Sequence, residues 1–247
     1  MVSNLKALFE SYPFLTAIRY GLATFARRFF DPAVRLSYSQ VGEDRLLMVL
    51  LGEPKTGFYV EVGSNDPVNF SNTFSFYRMG WRGITIDANE ALVEKHKKLR
   101  KRDIPVYAAV SDVEEEVVFT EYSLHELSTI NPIMKERRLA NSAQVIGEKK
   151  LRTVTLTTIL DQYLSPGITI DFLSIDVEGH DFNVLRSLDL SRYRPRLIVI
   201  EMHNFQMKSY SNDVIYQYLT SHGYVFIGYA VWNGYFADQD YLTSKSQ

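Results

Sequence analysis

The chain contains no cysteine in 247 residues. That absence excludes disulfides, thiolate zinc sites and cysteine nucleophiles together, and it fits a cytoplasmic enzyme. Charge of one sign is also lacking: 27 basic residues stand against 29 acidic ones, so no electrostatic case for a nucleic-acid partner arises. No run of about eighteen uncharged apolar residues occurs, and no bilayer-spanning helix is expected. What is present is an apolar content of 46%, enough to bury one ample core in a chain of this length.

Residues 1–30 are apolar and aromatic, but Glu10, Arg19, Arg27 and Arg28 interrupt them. No small-residue cleavage pattern follows, so no secretion signal is read there. Leu5, Leu8, Tyr12, Leu15, Ile18 and Leu22 recur at helical spacing, with a break near Pro13. The stripe predicts a helical extension over residues 1–36, packed on the domain or on a second copy of the chain. Its basic residues also suit peripheral contact with an anionic membrane.

From residue 37 the text becomes regular. A helix capped at Ser39 runs to Leu51 and stops at Gly52-Glu-Pro54. Strands over 57–63, 83–87 and 104–110 alternate with helices that begin near Pro67 and at Asn89, which is βαβαβ, the grammar of a parallel sheet. A strand over 117–122 follows. Periodicity then fades over 123–150, a polar stretch read as a substrate-side insertion, lid or binding loop. Regularity resumes with strands over 152–156, 170–176 and 197–203, helices over 158–163, 180–188 and 213–222, and a closing pair of strands over 224–229 and 231–236. The predicted class is α/β: a Rossmann-like, doubly wound, mostly parallel sheet over 37–247 with a C-terminal antiparallel hairpin.

In such sheets ligands sit at the carboxyl ends of the strands. Polar clusters fall at five such ends: Glu61–Asp66, Asp87–Asn89, Ser111–Asp112, Asp176–His180 and Glu201–Asn204. The first strand, Phe58-Tyr-Val-Glu-Val, runs into the small-residue turn Gly63-Ser-Asn-Asp66, and the second ends in Asp87. In such folds the turn lets a ligand approach the backbone closely and the strand-end acid binds both hydroxyls of a ribose, which points to an adenosine-containing cofactor. Each cluster taken alone is equally explained by helix capping and turn chemistry. Trp232, Tyr235 and Phe236, near the final hairpin, are the aromatics expected to lie outside the core, beside an acceptor or a subunit contact. His96 and His222 sit in polar helical sequence and are expected in solvent.

The segments Ser39-Gln-Val-Gly-Glu-Asp-Arg45, Tyr59-Val-Glu-Val-Gly-Ser-Asn-Asp66, Gly80-Trp-Arg-Gly-Ile-Thr-Ile-Asp-Ala88, Ala109-Val-Ser-Asp112 and Asp171-Phe-Leu-Ser-Ile-Asp-Val-Glu-Gly-His180 together resemble class I S-adenosylmethionine-dependent methyltransferases, and more closely the FkbM-type family. The second glycine of the usual acidic-x-Gly-x-Gly turn is here Asn65, a departure that also occurs within the FkbM pattern. The resemblance implies that Glu61, Gly63, Ser64 and Asn65 face the methionine part of S-adenosylmethionine, that Asp87 accepts from both ribose hydroxyls, and that Ala88 and Asn89 line the adenine. It further implies Ser111 and Asp112 near the adenine amino group, and Gln40 and Asp44 on a helix closing over the cofactor.

Transfer to a hydroxyl on a sugar, glycolipid or polyketide-type acceptor is the reaction the resemblance implies. A hydroxyl needs a base or a metal to lose its proton. Asp176 is the residue placed against the acceptor, with His203 or His180 as base. No compact metal-ligand motif is present, although Asp176, Glu178, His180, Glu201 and His203 could hold a divalent cation. Transfer to nitrogen or carboxylate, or cofactor binding without turnover, remain the alternatives.

Overall fold

The computed structural model describes residues 15, 18, 19, 22, 36–52 and 55–245. The chain divides into two units, Met1–Ser37 and Tyr38–Gln247. In the first, Leu15, Ile18, Arg19 and Leu22 are helical, and Leu15 and Leu22 are exposed. The rest of the amphipathic stripe, and with it the membrane or second-copy contact, lies outside the described residues. No helix among the described residues is long and apolar enough to cross a membrane.

The second unit is a seven-stranded sheet of order β3-β2-β1-β7-β8-β10-β9. Its strands are β1 (Phe58–Val62), β2 (Arg82–Asp87), β3 (Ile104–Tyr107), β7 (Phe172–Ile175), β8 (Leu197–Glu201), β9 (Tyr224–Ala230) and β10 (Asn233–Asp238). The first five pair in parallel, and β10 inserts antiparallel between β8 and β9. The chain moves outward from β1 to β3 and then returns to β7 on the other side of β1, so the order reverses between β1 and β7. Helices α1 (Glu43–Leu51), α2 (Phe74–Arg78), α3 (Glu90–Leu99), α4 (Pro132–Ala140), α5 (Leu156–Tyr163), α6 (Asp181–Arg186), α7 (Val214–Ser221) and α8 (Gln239–Lys245) complete it.

Strand side chains alternate between two cores. Phe58, Val60 and Val62 join Leu173, Ile198 and Phe236 on the face covered by α5, α6 and α7. Tyr59, Phe172, Val199 and Tyr235 join Trp81, Phe76 and the Leu47–Met48–Leu51 stripe of α1 on the other. Both faces are covered, which is why these strands read as continuous apolar runs rather than alternating ones. Tyr235 and Phe236, predicted to lie outside the core, are therefore buried in it, because β10 is an interior strand; only Trp232, at the hairpin turn, is exposed.

Four expectations need correction. The helix placed from Pro67 onward forms only at Phe74–Arg78. Asp66 accepts the amides of Val68 and Asn69, and the Ser71 hydroxyl accepts those of Thr73 and Phe74, local turns that compete with a helix. The helix expected from a cap at Ser39 begins at Glu43 with Gly42 in the cap position, yet the Ser39 hydroxyl still accepts the amides of Gly42 and Asp44 at its start. The third strand breaks after Tyr107: β4 (Ala109–Val110) leaves the main sheet to pair with β6 (Val145–Val154) in a small sheet of order β4-β6-β5, where β5 is Glu116–Tyr122.

The fourth concerns the insertion at 123–150, which is largely regular: a short 3-10 turn, α4, and most of β6. Its β5–β6 ribbon meets water along much of both faces, so no apolar alternation marks it. Helix α4 was legible from Asn131-Pro132, where Asn131 caps the amides of Ile133 and Met134 and Pro132 takes the first helical position.

Candidate active site at the sheet switch point

A cleft enclosing about 940 Å³ out to its open mouth lies at the carboxyl ends of β1, β2 and β7, where the strand order reverses. Its floor is set by Gly63, at φ +81, whose missing side chain is required: a Cβ there would stand 1.7 Å from the carbonyl oxygen of Asp176. The amides of Gly63 and Ser64 both donate to the Ile86 carbonyl at 2.9 and 3.1 Å, which ties the turn to β2. Asn65 adopts φ 45 and donates its amide to Asp87 Oδ2 at 2.8 Å. Asp87 Oδ1 takes the Asn89 amide at 2.8 Å. Asp87 lines the cleft with its carboxylate held in place by these backbone amides. Burial pushes this carboxyl up to about 6, against the pull of the two amides.

Glu61 lines the same cleft one strand away. Its Oε2 accepts the Thr73 hydroxyl at 2.6 Å and stands 4.0 Å from Arg100. Arg100 is fully buried and also bonds Asp103 at 2.6 Å, Tyr59 at 2.8 Å and Thr73 at 2.7 Å. Burial outweighs the guanidinium's pull and raises the Glu61 carboxyl to about 7. Gln40, Ala88, Asn72 and His125 complete the wall, and Asn72 is held by the Ser174 hydroxyl at 3.0 Å.

The cleft is bounded on its far side by the turn after β7. Here Glu178 at φ 58 and Gly179 at φ 89 reverse the chain, and Asp181 holds the turn by accepting the Val177 and Gly179 amides at 2.9 and 3.0 Å. The insertion grips the same turn: Thr129 and Asn131 donate to the Glu178 and Gly179 carbonyls, and Arg138 pairs with the Glu178 carboxylate. Asp176 and Glu178 face the first cleft, whereas Glu201 and His203 line a second cavity with Asn131, Asn204, Phe182 and Val214. His203 Nε2 lies 2.9 Å from Glu201 Oε2 and 3.9 Å from Glu178 Oε2. Burial and mutual repulsion raise the carboxyls of Asp176, Glu178 and Glu201 above their ordinary range.

The structure therefore brings together Gln40, Glu61, Gly63, Asn65, Asp87, Ala88 and Asp176 in one cleft, with His203 next to it. Six expected residues are placed elsewhere. Asp44 is fully buried, taking the Tyr38 amide and the Ser39 and Ser75 hydroxyls, and it braces the start of α1 instead of facing the cleft. The Ser64 side chain is buried away from the cleft, and Asn89 spends its side chain capping α3. Ser111 and Asp112 follow β4 toward the small sheet, so Ala109 and Val110 line the cleft in their place. His180 precedes α6 and bonds Ser111 at 2.9 Å, lining neither cavity; the positive φ of Gly179 turns it away from His203. His96, expected in solvent, is wholly buried with Nε2 3.0 Å from the Asn65 carbonyl, and burial lowers it to about 4. His222 is exposed as expected.

Sequence reasoning missed Arg100 and Arg138. Both lie in charged helical text that reads as solvated, and no local signal distinguishes them from Lys97, Lys98 or Arg137. Only the partners they reach, 39 residues back at Glu61 and 40 residues ahead at Glu178, reveal them.

Comparison with curated proteins finds no match. Among solved structures, an N-terminally shortened METTL16 methyltransferase domain aligns over 91% of this chain and 96% of its own length, at 11% identity and a TM-score of 0.36; a likeness that distant carries no argument here. The family model of the methyltransferase FkbM domain matches residues 61–226, from the Glu61 strand end through the β7 turn to β9, and the chain belongs to this methyltransferase family.

Proposed function

We propose that the protein transfers the methyl group of S-adenosylmethionine to a hydroxyl of a sugar, glycolipid or polyketide-type acceptor. The observation that carries this reading is the junction of two cavities: a cleft holding Asp87 and Glu61, and beyond the β7 turn a second cavity holding Glu201 and His203. The donor set fits the cofactor. Asp87 offers carboxylate oxygens to a diol and Glu61 offers a carboxylate to a cationic amine, both on the wall of the cleft. When bound, S-adenosylmethionine supplies an electrophilic methyl group.

The chain's own contribution is alignment, exclusion of water and removal of a proton. Asp176, at the end of β7 between the cavities, positions the acceptor. The acceptor proton has two bases within reach of the same junction, Asp176 and His203. Asn131, Asn204 and Gln206 in the second cavity are neutral donors and acceptors beside the apolar Phe182 and Val214, a lining suited to a polyol with an apolar face. The balance of 27 basic against 29 acidic residues gives no electrostatic case for a nucleic-acid partner, and a cytoplasmic location is part of the same reading.

Calorimetric titration with S-adenosylmethionine and S-adenosylhomocysteine, with NAD as control, tests the reading: micromolar binding of the sulfur nucleosides alone is expected, and preference for NAD would end it. Two further results are expected. His203→Ala lowers turnover on an identified acceptor by about 10²-fold, the usual worth of a positioned acid or base, with S-adenosylhomocysteine affinity unchanged; full activity would remove His203 from the reaction. Second, because burial pushes the Glu61 carboxyl up to about 7 and that of Asp87 up to about 6, and only the ionised forms serve an amine and a ribose diol, affinity for S-adenosylhomocysteine should rise about sixteenfold from pH 6 to pH 7.5, following the product of the two ionised fractions. Glu61→Gln should reduce that rise to about twofold, the share of Asp87; a profile that stays steeper in the variant would assign it to another group.

A further inference from the structure

We propose that Glu178, Glu201 and His203 form a divalent-cation site at the junction of the two cavities, suited to Mn²⁺ or Mg²⁺. The site's existence is independent of the acceptor reading above, and only its role in the reaction rests on it.

Three observations support the site. The first is spacing. Metal–ligand bonds of about 2.1 Å set neighbouring ligand atoms of an octahedral ion about 3.0 Å apart and opposite ones about 4.2 Å apart. His203 Nε2 stands 2.9 Å from Glu201 Oε2 and 3.9 Å from Glu178 Oε2, and a donor atom from each of the three residues lies within 4.8 Å of the others.

The second is an unsatisfied atom. Glu201 is 8% exposed, yet its Oε2 receives no hydrogen bond even though the imidazole nitrogen is 2.9 Å away. A buried carboxylate oxygen with no donor is costly. A carboxylate oxygen and an imidazole nitrogen in such close approach need a shared proton or a cation between them.

The third is charge. Asp176 and Asp181 also bring carboxylate oxygens within 4.8 Å of one on Glu201. Asp181 is satisfied by backbone amides, and Arg138 compensates Glu178. Four carboxylates thus share one guanidinium, and buried charge of one sign requires a counterion or shared protons. Two carboxylates and one imidazole, with open space on the side of the second cavity, match a hard divalent ion that keeps positions for water or substrate. A cation there lowers the pKa of a coordinated hydroxyl. The imidazole is then a ligand, which leaves Asp176 as the group that takes the acceptor proton.

The test is binding of the metal alone. Chelator-treated protein is titrated with Mn²⁺, read by electron paramagnetic resonance of the free ion, and the same preparation is titrated with S-adenosylhomocysteine. One Mn²⁺ per chain with micromolar affinity is expected, displaced by Mg²⁺. Glu201→Gln and His203→Ala should each weaken it at least tenfold without altering S-adenosylhomocysteine affinity, while Asp189→Asn, an exposed carboxylate, leaves both unchanged. Absence of saturable binding overturns the site, as does binding that survives both substitutions. Glu201→Gln preserves shape, so it decides the matter even if His203→Ala fails to fold. Mn²⁺ binding without S-adenosylhomocysteine binding would sink the cofactor reading and leave the cation site standing.

Discussion

Replacing Arg100 by methionine is expected to lower the melting temperature by about 10 °C. Arg100 is fully buried, and its guanidinium joins Asp103, Tyr59 and Thr73 at 2.6 to 2.8 Å while standing 4.0 Å from Glu61. Removing one partner of a buried ionic network costs about 3–5 kcal/mol, because the remaining charges lose their compensation. For a domain of this size each kcal/mol moves the melting temperature by about 2–4 °C. The substitution also has a functional readout. Without the guanidinium, burial acts on Glu61 unopposed, its carboxyl titrates still higher, and affinity for S-adenosylhomocysteine at pH 7.5 falls. Thermal unfolding followed by circular dichroism checks the first effect. A drop below about 3 °C would mean that Asp103 and Glu61 simply take up protons and that the network adds no net stability.

Asp87→Ala is expected to weaken S-adenosylhomocysteine binding at least about 100-fold. Hydrogen bonds to a charged acceptor are worth about 1.5–3 kcal/mol each, and two ribose hydroxyls would lose theirs. The same carboxylate also holds the Asn65 and Asn89 amides, so the turn over the cleft loosens as its acceptor disappears. Asp87→Asn retains one acceptor oxygen and should fall between the two. Calorimetry on the purified variants reads the effect directly, and unchanged affinity would remove Asp87 from the cofactor site.

The two substitutions differ in how visible they are in the sequence. Asp87 ends an apolar strand behind a small-residue turn, and both features are local. Arg100 lies in Lys97-Lys-Leu-Arg-Lys-Arg102, where four of its five neighbours are equally basic. Its burial follows from the folding of β1, β2 and the 67–73 turns around it. His180 and His203 illustrate the same limit from the other side. His180 lies four residues past one predicted strand end and His203 closes another, and periodicity gives them equal standing. The left-handed turn at Glu178 and Gly179 sends His180 to Ser111, while β8 ends directly at Glu201 and sets His203 beside it.

By itself the sequence determined the alternation of strands and helices, the parallel sheet with its closing hairpin, and the acids at the ends of β1 and β2, because burial patterns and caps are written in neighbouring residues. The tertiary structure alone decided that β4 leaves the main sheet, that the polar insertion folds into a ribbon and helix gripping the β7 turn, and that Glu178, Glu201 and His203 converge. Those outcomes depend on pairing between segments tens of residues apart, such as Ala109 with Thr153 and Arg138 with Glu178. The energy of such contacts is set by geometry that no local spacing records.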